Sequence, residues 1–251
     1  MSFQFKSILA VALAFGLIAS AKLVRADDST AVIDKAIKAL GGEEALGKAK
    51  AATWKTKGTI TFMGNDNEVT STFTAQGLDH FRQEFEGEFG GNKIKGVTVL
   101  DGDKGSRKFG DNGGDLDKEA IAQTKRTLYL NVVPITIVPL KDKAFKVESI
   151  PDAMVDGKAA AGIKVTGPDM KDFKLYFDKE TGLPVKQEAK VAGFMGGEFT
   201  QVTTYSEYKD MGGIKKAIKV KATRDGEKFM EQTVVEFKVL DKVDPKVFEG
   251  A

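Results

Sequence analysis

The sequence predicts an α+β protein, mostly β, in which a long antiparallel meander carries an N-terminal helix and one later helix-and-loop segment. Three observations predict it. Apolar residues recur at three- and four-residue spacing from Val32 to Leu40, then alternate with polar ones over most of the remaining chain. The alternating runs are separated by short glycine-bearing turns, which suit hairpins rather than parallel crossovers.

Residues 1 to 26 precede this pattern. Lys6 gives a positive start, Ile8 to Ile18 an apolar run of about 11 residues, and small residues follow, the organisation of a secretory signal. The run is shorter than the roughly 20 residues that span a bilayer. Cleavage is expected after Ala26, with Ala21 the other point that fits. The mature chain, residues 27 to 251, is then a single β domain that is periplasmic or secreted.

The whole chain holds 38 Lys and Arg against 36 Asp and Glu, and residues 1 to 26 remove Lys6, Lys22 and Arg25 but no acid. A mature chain that close to neutrality gives no electrostatic case for nucleic acid as a partner. The absence of cysteine excludes disulfides, thiolate catalysis and a lipidated cysteine anchor.

Ser29 caps a helix whose apolar face is Val32, Ile33, Ala36, Ile37 and Leu40, stopped by Gly41-Gly42; a second short helix covers residues 43 to 50. From Trp54 the period becomes two, with Trp54, Gly58, Ile60 and Phe62 on one face. Val69 to Ala75 repeats it. In His80 to Phe89, the residues Phe81, Phe85 and Phe89 share a face with Gln83 and Gly87, while His80, Arg82, Glu84, Glu86 and Glu88 take the other. All three Phe are expected to be buried, so that an acid at Phe85 unfolds the chain or lowers its stability by several kcal/mol.

Further strands are expected over Lys93 to Leu100, Gly162 to Thr166, Phe173 to Phe177, Pro184 to Val191, Phe199 to Tyr208, Ile214 to Thr223 and Phe229 to Leu240. Turns at Asp178 to Gly182 and Arg224 to Glu227 join some of them. Between the two groups lies a helix over Asp115 to Leu130, acidic at its start and with Lys125 and Arg126 nearer its end. The nearly uncharged stretch from Asn131 to Leu140 follows. Pro134 and Pro139 bar it from a long helix, so it is expected to be a loop that either plugs the open side of a curved sheet or forms a movable lid over a ligand cavity.

Catalytic constellations are lacking. His80 is the single histidine and falls on a charged face, no Gly-x-Ser-x-Gly elbow exists, and no glycine-rich phosphate loop occurs. Asp101 to Gly105 and Asp111 to Glu119 read as turns rather than calcium loops. No cofactor and no metal are expected. Phe194 and Met195 sit at an expected hairpin tip, either packed on a neighbouring loop or offered to an envelope protein or membrane surface.

Four segments are familiar together: Ala36 to Leu46, Leu100 to Gly105, Leu175 to Val185 and Tyr205 to Asp210, with Val243 to Phe248 closing the chain. They resemble exported bacterial proteins of the outer-membrane lipoprotein-sorting type, a group similar to the periplasmic lipoprotein carrier. The resemblance implies an incomplete antiparallel β-barrel with helices across its concave side, where the carriers shelter acyl chains. This chain has Ser106 where many relatives place a Trp. No residue here matches the carrier's functional arginine, so cargo transfer is not implied.

The expected function is an extracytoplasmic, non-enzymatic and monomeric binding or carrier protein for a lipid, a lipoprotein acyl chain or another hydrophobic ligand. The rivals are an envelope interaction module with a packed core and a hydrolase with an unrecognised carboxylate pair. Candidate ligand contacts are Trp54, Ile60, Phe62, Phe73, Phe81, Phe85, Phe89, Leu128, Ile135, Ile137, Phe173, Leu175, Phe177 and Phe237.

Overall fold

The computed structural model describes residues 26 to 193 and 196 to 251. The expected signal segment and its cleavage point, and the tip residues Phe194 and Met195, lie outside the described residues or at their very edge.

The chain opens with α1 (Ala26–Leu40) and α2 (Glu43–Lys48). The three- and four-residue spacing does what it predicts: Ile33, Ala36, Ile37 and Leu40 are buried. Gly41 adopts φ 144°, and a Cβ there would stand 2.3 Å from the Gly213 carbonyl oxygen. Only glycine lets the end of α1 approach the sheet this closely.

A first meander follows: β1 (Ala51–Phe62), β2 (Asn65–Gln76), β3 (His80–Phe89), β4 (Asn92–Asp101), β5 (Lys104–Phe109) and β6 (Asn112–Asp115). Then α3 (Lys118–Thr136) and a 3-10 turn (Val138–Lys141) lead to the second: β7 (Lys146–Val155), β8 (Lys158–Thr166), β9 (Asp172–Asp178), β10 (Pro184–Ala192), β11 (Glu198–Asp210), β12 (Lys215–Arg224) and β13 (Glu227–Leu240). A last 3-10 turn spans Pro245–Phe248.

β1 and β13 pair and fuse the two meanders into one antiparallel sheet of thirteen strands, in the order β6-β5-β4-β3-β2-β1-β13-β12-β11-β10-β9-β8-β7. Its edges, β6 and β7, are the strands that α3 connects. The helix therefore crosses the open side of an unclosed barrel. β5, β6 and β7 were not among the expected strands, for physical reasons. β6 is Asn-Gly-Gly-Asp, a turn composition, and is exposed throughout. β7 contains Pro151, which an edge strand tolerates where its pairing with β8 slips between Ile150 and Ala153.

The expectation for α3 needs correction. Asp117 caps it, accepting from the Ala120 amide at 2.8 Å, but the helix does not stop near Leu130. It continues through Pro134 to Thr136. A proline inside a helix removes the hydrogen bond to the carbonyl four residues back, here that of Leu130. The Gln187 side chain, on β10 and 4% exposed, donates to that oxygen at 3.2 Å. The sheet thus supplies what the helix lacks. Ile137, at φ 60°, ends the helix with its amide on the Val133 carbonyl, 2.8 Å away.

Gln187→Leu is therefore expected to lower stability by about 1–3 kcal/mol, because the Leu130 carbonyl is left buried without a donor. Combined with Pro134→Ala, which restores the helical donor, the same change should cost clearly less. Denaturant unfolding of the two single variants and the double variant measures this coupling.

The core lies between the inner face of the sheet and the three helices. A smaller one forms on the outer face, where Val243 and Phe248 pack on Ala51 and Val99. Arg82, on that outer face, donates to the carbonyls of Val247 and Gly250 at 3.3 and 3.2 Å and fastens the C-terminal segment.

Candidate functional site

The helices cover only part of the inner face. Under them, Trp54, Phe73, Phe81, Phe173, Leu175, Phe177 and Phe237 from the sheet meet Leu128, Ile135 and Ile137 from the crossing segment, all of them buried. These ten candidates form a filled core. Trp54 and Phe73 stack with ring centres 5.0 Å apart, and Phe73 stacks in turn on Phe81 at 6.3 Å.

The other four candidates lie elsewhere. Ile60, Phe85 and Phe89 are half-buried and Phe62 is 39% exposed, near the ends of β1 and β3 that α3 leaves uncovered. Cross-strand register puts them on the same face as the core: Trp54 pairs with Phe73, and along those strands Ile60 pairs with Met230 and Ser71 with Phe85. On β4 and β5, Gly96 and Phe109 continue the row.

Glycines shape this surface. A Cβ on Gly96 would fall 2.2 Å from the Phe85 ring, and one on Gly87 would fall 2.7 Å from the Phe89 ring. The rings therefore lie down over the backbone instead of standing up from it. Phe85 meets Phe109 at 5.7 Å between centres, and Phe62 meets Phe89 edge-on at 6.3 Å and 84°. Ile94 and Met230, both half-buried, belong to the same face. The alternation Phe85-Gly87-Phe89 was the available signal for it. Phe109 was missed because β5 itself was.

Two cations on the inner face of the sheet lie against aromatic rings. Lys216 lies at the covered end, 8% exposed, with its amine 5.9 Å from the ring centres of both Trp54 and Phe237. It makes no ion pair among the described residues, and burial pulls its pKa down from 10.5 to about 8. Arg224 lies at the uncovered end of β12, its guanidinium carbon 3.5 Å from the Phe229 ring centre and 5.5 Å from that of Phe199. Its Nε donates to the Gln201 side-chain oxygen at 3.1 Å.

The Lys216 shift has a consequence for stability. Below about pH 8 the amine is charged in both folded and unfolded chains, and the fold bears the full cost of burying it. At 1.36 kcal/mol for each pH unit of the fall from 10.5 to about 8, this is on the order of 3 kcal/mol. Between those values the unfolded chain holds the extra proton, so stability rises with pH. Lys216→Met is thus expected to raise the melting temperature at pH 7, with a gain that shrinks toward pH 10; melting curves across that range check it.

A second buried cation holds the helix down. Arg126, 6% exposed in α3, donates through Nε to the Lys190 carbonyl (2.9 Å) and through Nη2 to the Asp172 carbonyl (3.0 Å). Its Nη1 reaches the Tyr129 hydroxyl (2.6 Å) and the Asp169 carboxylate (2.9 Å). Burial and the neighbouring Asp169 raise the Tyr129 pKa, so that the hydroxyl stays neutral. Arg126 was expected near the helix end. It is instead an internal clasp between α3 and β9 and β10.

Hydrolytic chemistry finds little support. His80 faces outward with Nδ1 2.8 Å from Asp79 and Nε2 3.1 Å from Asp101, so both ring nitrogens are engaged and neither is left to serve as a base. The register of β1 to β4 puts no Asp or Glu on their inner face. Among the described residues no group of three or more His, Asp or Glu is placed to hold a metal. Two open depressions of about 430 and about 500 Å³ are lined largely by polar side chains, among them Asp79 and His80 in one and Glu68 and Glu86 in the other, and by none of the fourteen candidates.

No protein-family profile and no curated protein matches the chain. Its fold is nevertheless shared with solved structures. A LolA superfamily protein from Nitrosomonas europaea superposes with a TM-score of 0.56 at 10% identity, over 88% of this chain and 96% of that one. A putative outer membrane lipoprotein-sorting protein domain from Vibrio parahaemolyticus gives 0.53 at 10% identity, over 86% and 97%. A DUF1329 family protein from Desulfovibrio piger gives 0.54 at 10% identity, over 88% and 97%. The fold of the lipoprotein-sorting type expected from the sequence is the fold observed.

Proposed function

We propose that this protein is an extracytoplasmic, non-catalytic binding or carrier protein for a lipid, a lipoprotein acyl chain or a similar hydrophobic ligand. Its site is the inner face that the helices leave uncovered at Ile60, Phe62, Phe85 and Phe89. The observation that carries this reading is the half-exposed aromatic surface itself, on the concave side of a sheet, beyond the reach of the helices that bury the rest of that side. Large apolar side chains left open in a concavity are the usual mark of a binding site.

The export signal read from the sequence and the fold shared with lipoprotein-sorting structures support the same reading. The driving force is desolvation, at about 25 cal/mol for each Å² of apolar surface removed from water. The ligand lies on an open surface rather than inside a closed chamber, because the deeper half of the concavity is filled by protein. The tip residue Met63, 82% exposed beside Phe62, extends the apolar rim and is the one feature that favours an envelope protein as partner instead.

Titration with Nile red, an uncharged dye that brightens in apolar surroundings, tests the site. Phe85→Ala and Phe89→Ala should each weaken binding several-fold, while Glu84→Ala, on the outer face, should leave it unchanged. Absence of dye binding to the unaltered protein, or equal losses from all three substitutions, refutes the assignment.

A further inference from the structure

Resting on that reading of the site, we propose that its ligand is a single-chain amphiphile with an anionic head, a carboxylate or a phosphate, and that Arg224 binds the head. Arg224 is on the same face as the open aromatic surface: it follows Ala222, which pairs with Met230, which pairs with Ile60. Along the order β12-β13-β1-β2-β3, four strand spacings of about 4.8 Å separate β12 from β3, roughly 19 Å across the sheet, and Phe89, two residues past the Gly87 that is level with Gly58, is the β3 ring nearest the level of Arg224. A chain whose head is held at Arg224 can therefore run across Met230, Ile60 and Phe62 to the Phe89 ring.

The guanidinium is prepared for an anion. Phe229 supports it at 3.5 Å, and Gln201 accepts from Nε. The two terminal nitrogens have no acceptor among the described residues. Glu227, its cross-strand partner, forms no ion pair with it there. A fork of N–H donors held flat against an aromatic ring matches the two oxygens of a carboxylate or phosphate. Lys216 does not suit this role, since it lies beneath the helices at the covered end.

Titration of the full-length mature protein with cis-parinaric acid and with its methyl ester separates head from chain. The acid is expected to bind at least tenfold more tightly than the ester. Arg224→Gln should bring the acid down to the affinity of the ester and leave ester binding unchanged, so that the ester reports an intact fold and an intact apolar surface in the same variant. Arg224→Lys should recover part of the preference. Displacement of the acid by laurate or by dodecyl phosphate supports the proposal, and the stronger competitor identifies carboxylate or phosphate as the head.

Equal binding of acid and ester, or an acid preference that survives Arg224→Gln, overturns the proposal while leaving the binding site in place. If neither probe binds, the reading of the site falls with it. If neither probe binds but the protein sediments with phosphatidylglycerol vesicles in an Arg224-dependent way, the face contacts a membrane surface and the proposal is likewise overturned.

Discussion

Phe81→Asp is expected to unfold the protein, whereas Phe85→Asp is expected to leave it folded and unable to bind an apolar probe. The two residues are one helical turn apart in number but share a strand and a face, so alternation alone treats them alike. Their surroundings differ. Phe81 is fully buried between Phe73 and the helices, where loss of the ring removes about 3–5 kcal/mol and an unpaired carboxylate adds its desolvation. Against a typical total of about 5–15 kcal/mol, that loss is decisive. Phe85 is half-buried on Gly96 and Phe109, with water at hand for a carboxylate, so its replacement removes ligand surface more than core. Circular dichroism melting and Nile red titration of both variants provide the check. A Phe85→Asp protein that is unfolded would mean that the uncovered face is core after all.

The same pair of residues shows what was legible in the sequence. Period-two alternation assigned Phe81, Phe85 and Phe89 to one face correctly, because side-chain direction is a local property of a strand. Burial is not local. It depends on where α3 comes to rest, which is set by contacts distant in sequence such as Arg126 with Asp169 and Gln187 with the Leu130 carbonyl. The expectation that all three Phe are buried therefore failed for two of them, and four of the fourteen candidates separated from the rest for the same reason.

Turn chemistry was legible where glycine took a positive φ between strongly patterned strands, as at Gly182 and Gly226. It was not where the strand itself had turn composition, as in β6. Pro134 illustrates a further limit. The rule that proline breaks a helix holds unless another group satisfies the freed carbonyl, and the Gln187 that does so is 53 positions away in sequence. Arg224 escaped notice because only the assembled sheet brings Phe199 and Phe229 to it.

Ile135→Ser combined with Ile137→Ser is expected to destabilise the whole protein rather than free a lid. Ile135 is 5% exposed and Ile137 fully buried, both within the cluster that contains Trp54, Phe81 and Leu175. Each replacement should cost about 2–5 kcal/mol in packing, with the burial of a hydroxyl added. The sum will fall short of additive because the two sites share neighbours, and because Ile137 holds a left-handed conformation that disfavours a β-branched residue more than serine. A movable lid would behave differently: probe binding would fall while the melting temperature stayed in place. The clasp at Arg126 argues for the first outcome, since each of its three nitrogens is engaged by α3 itself or by β9, β10 and the turn before β9. Measured below the lowered melting temperature, the double variant should still bind Nile red, for the open surface at Ile60, Phe62, Phe85 and Phe89 has no member in residues 131 to 140. Binding lost in step with those two isoleucines, on a sheet that melts normally, would relocate the site beneath the helix.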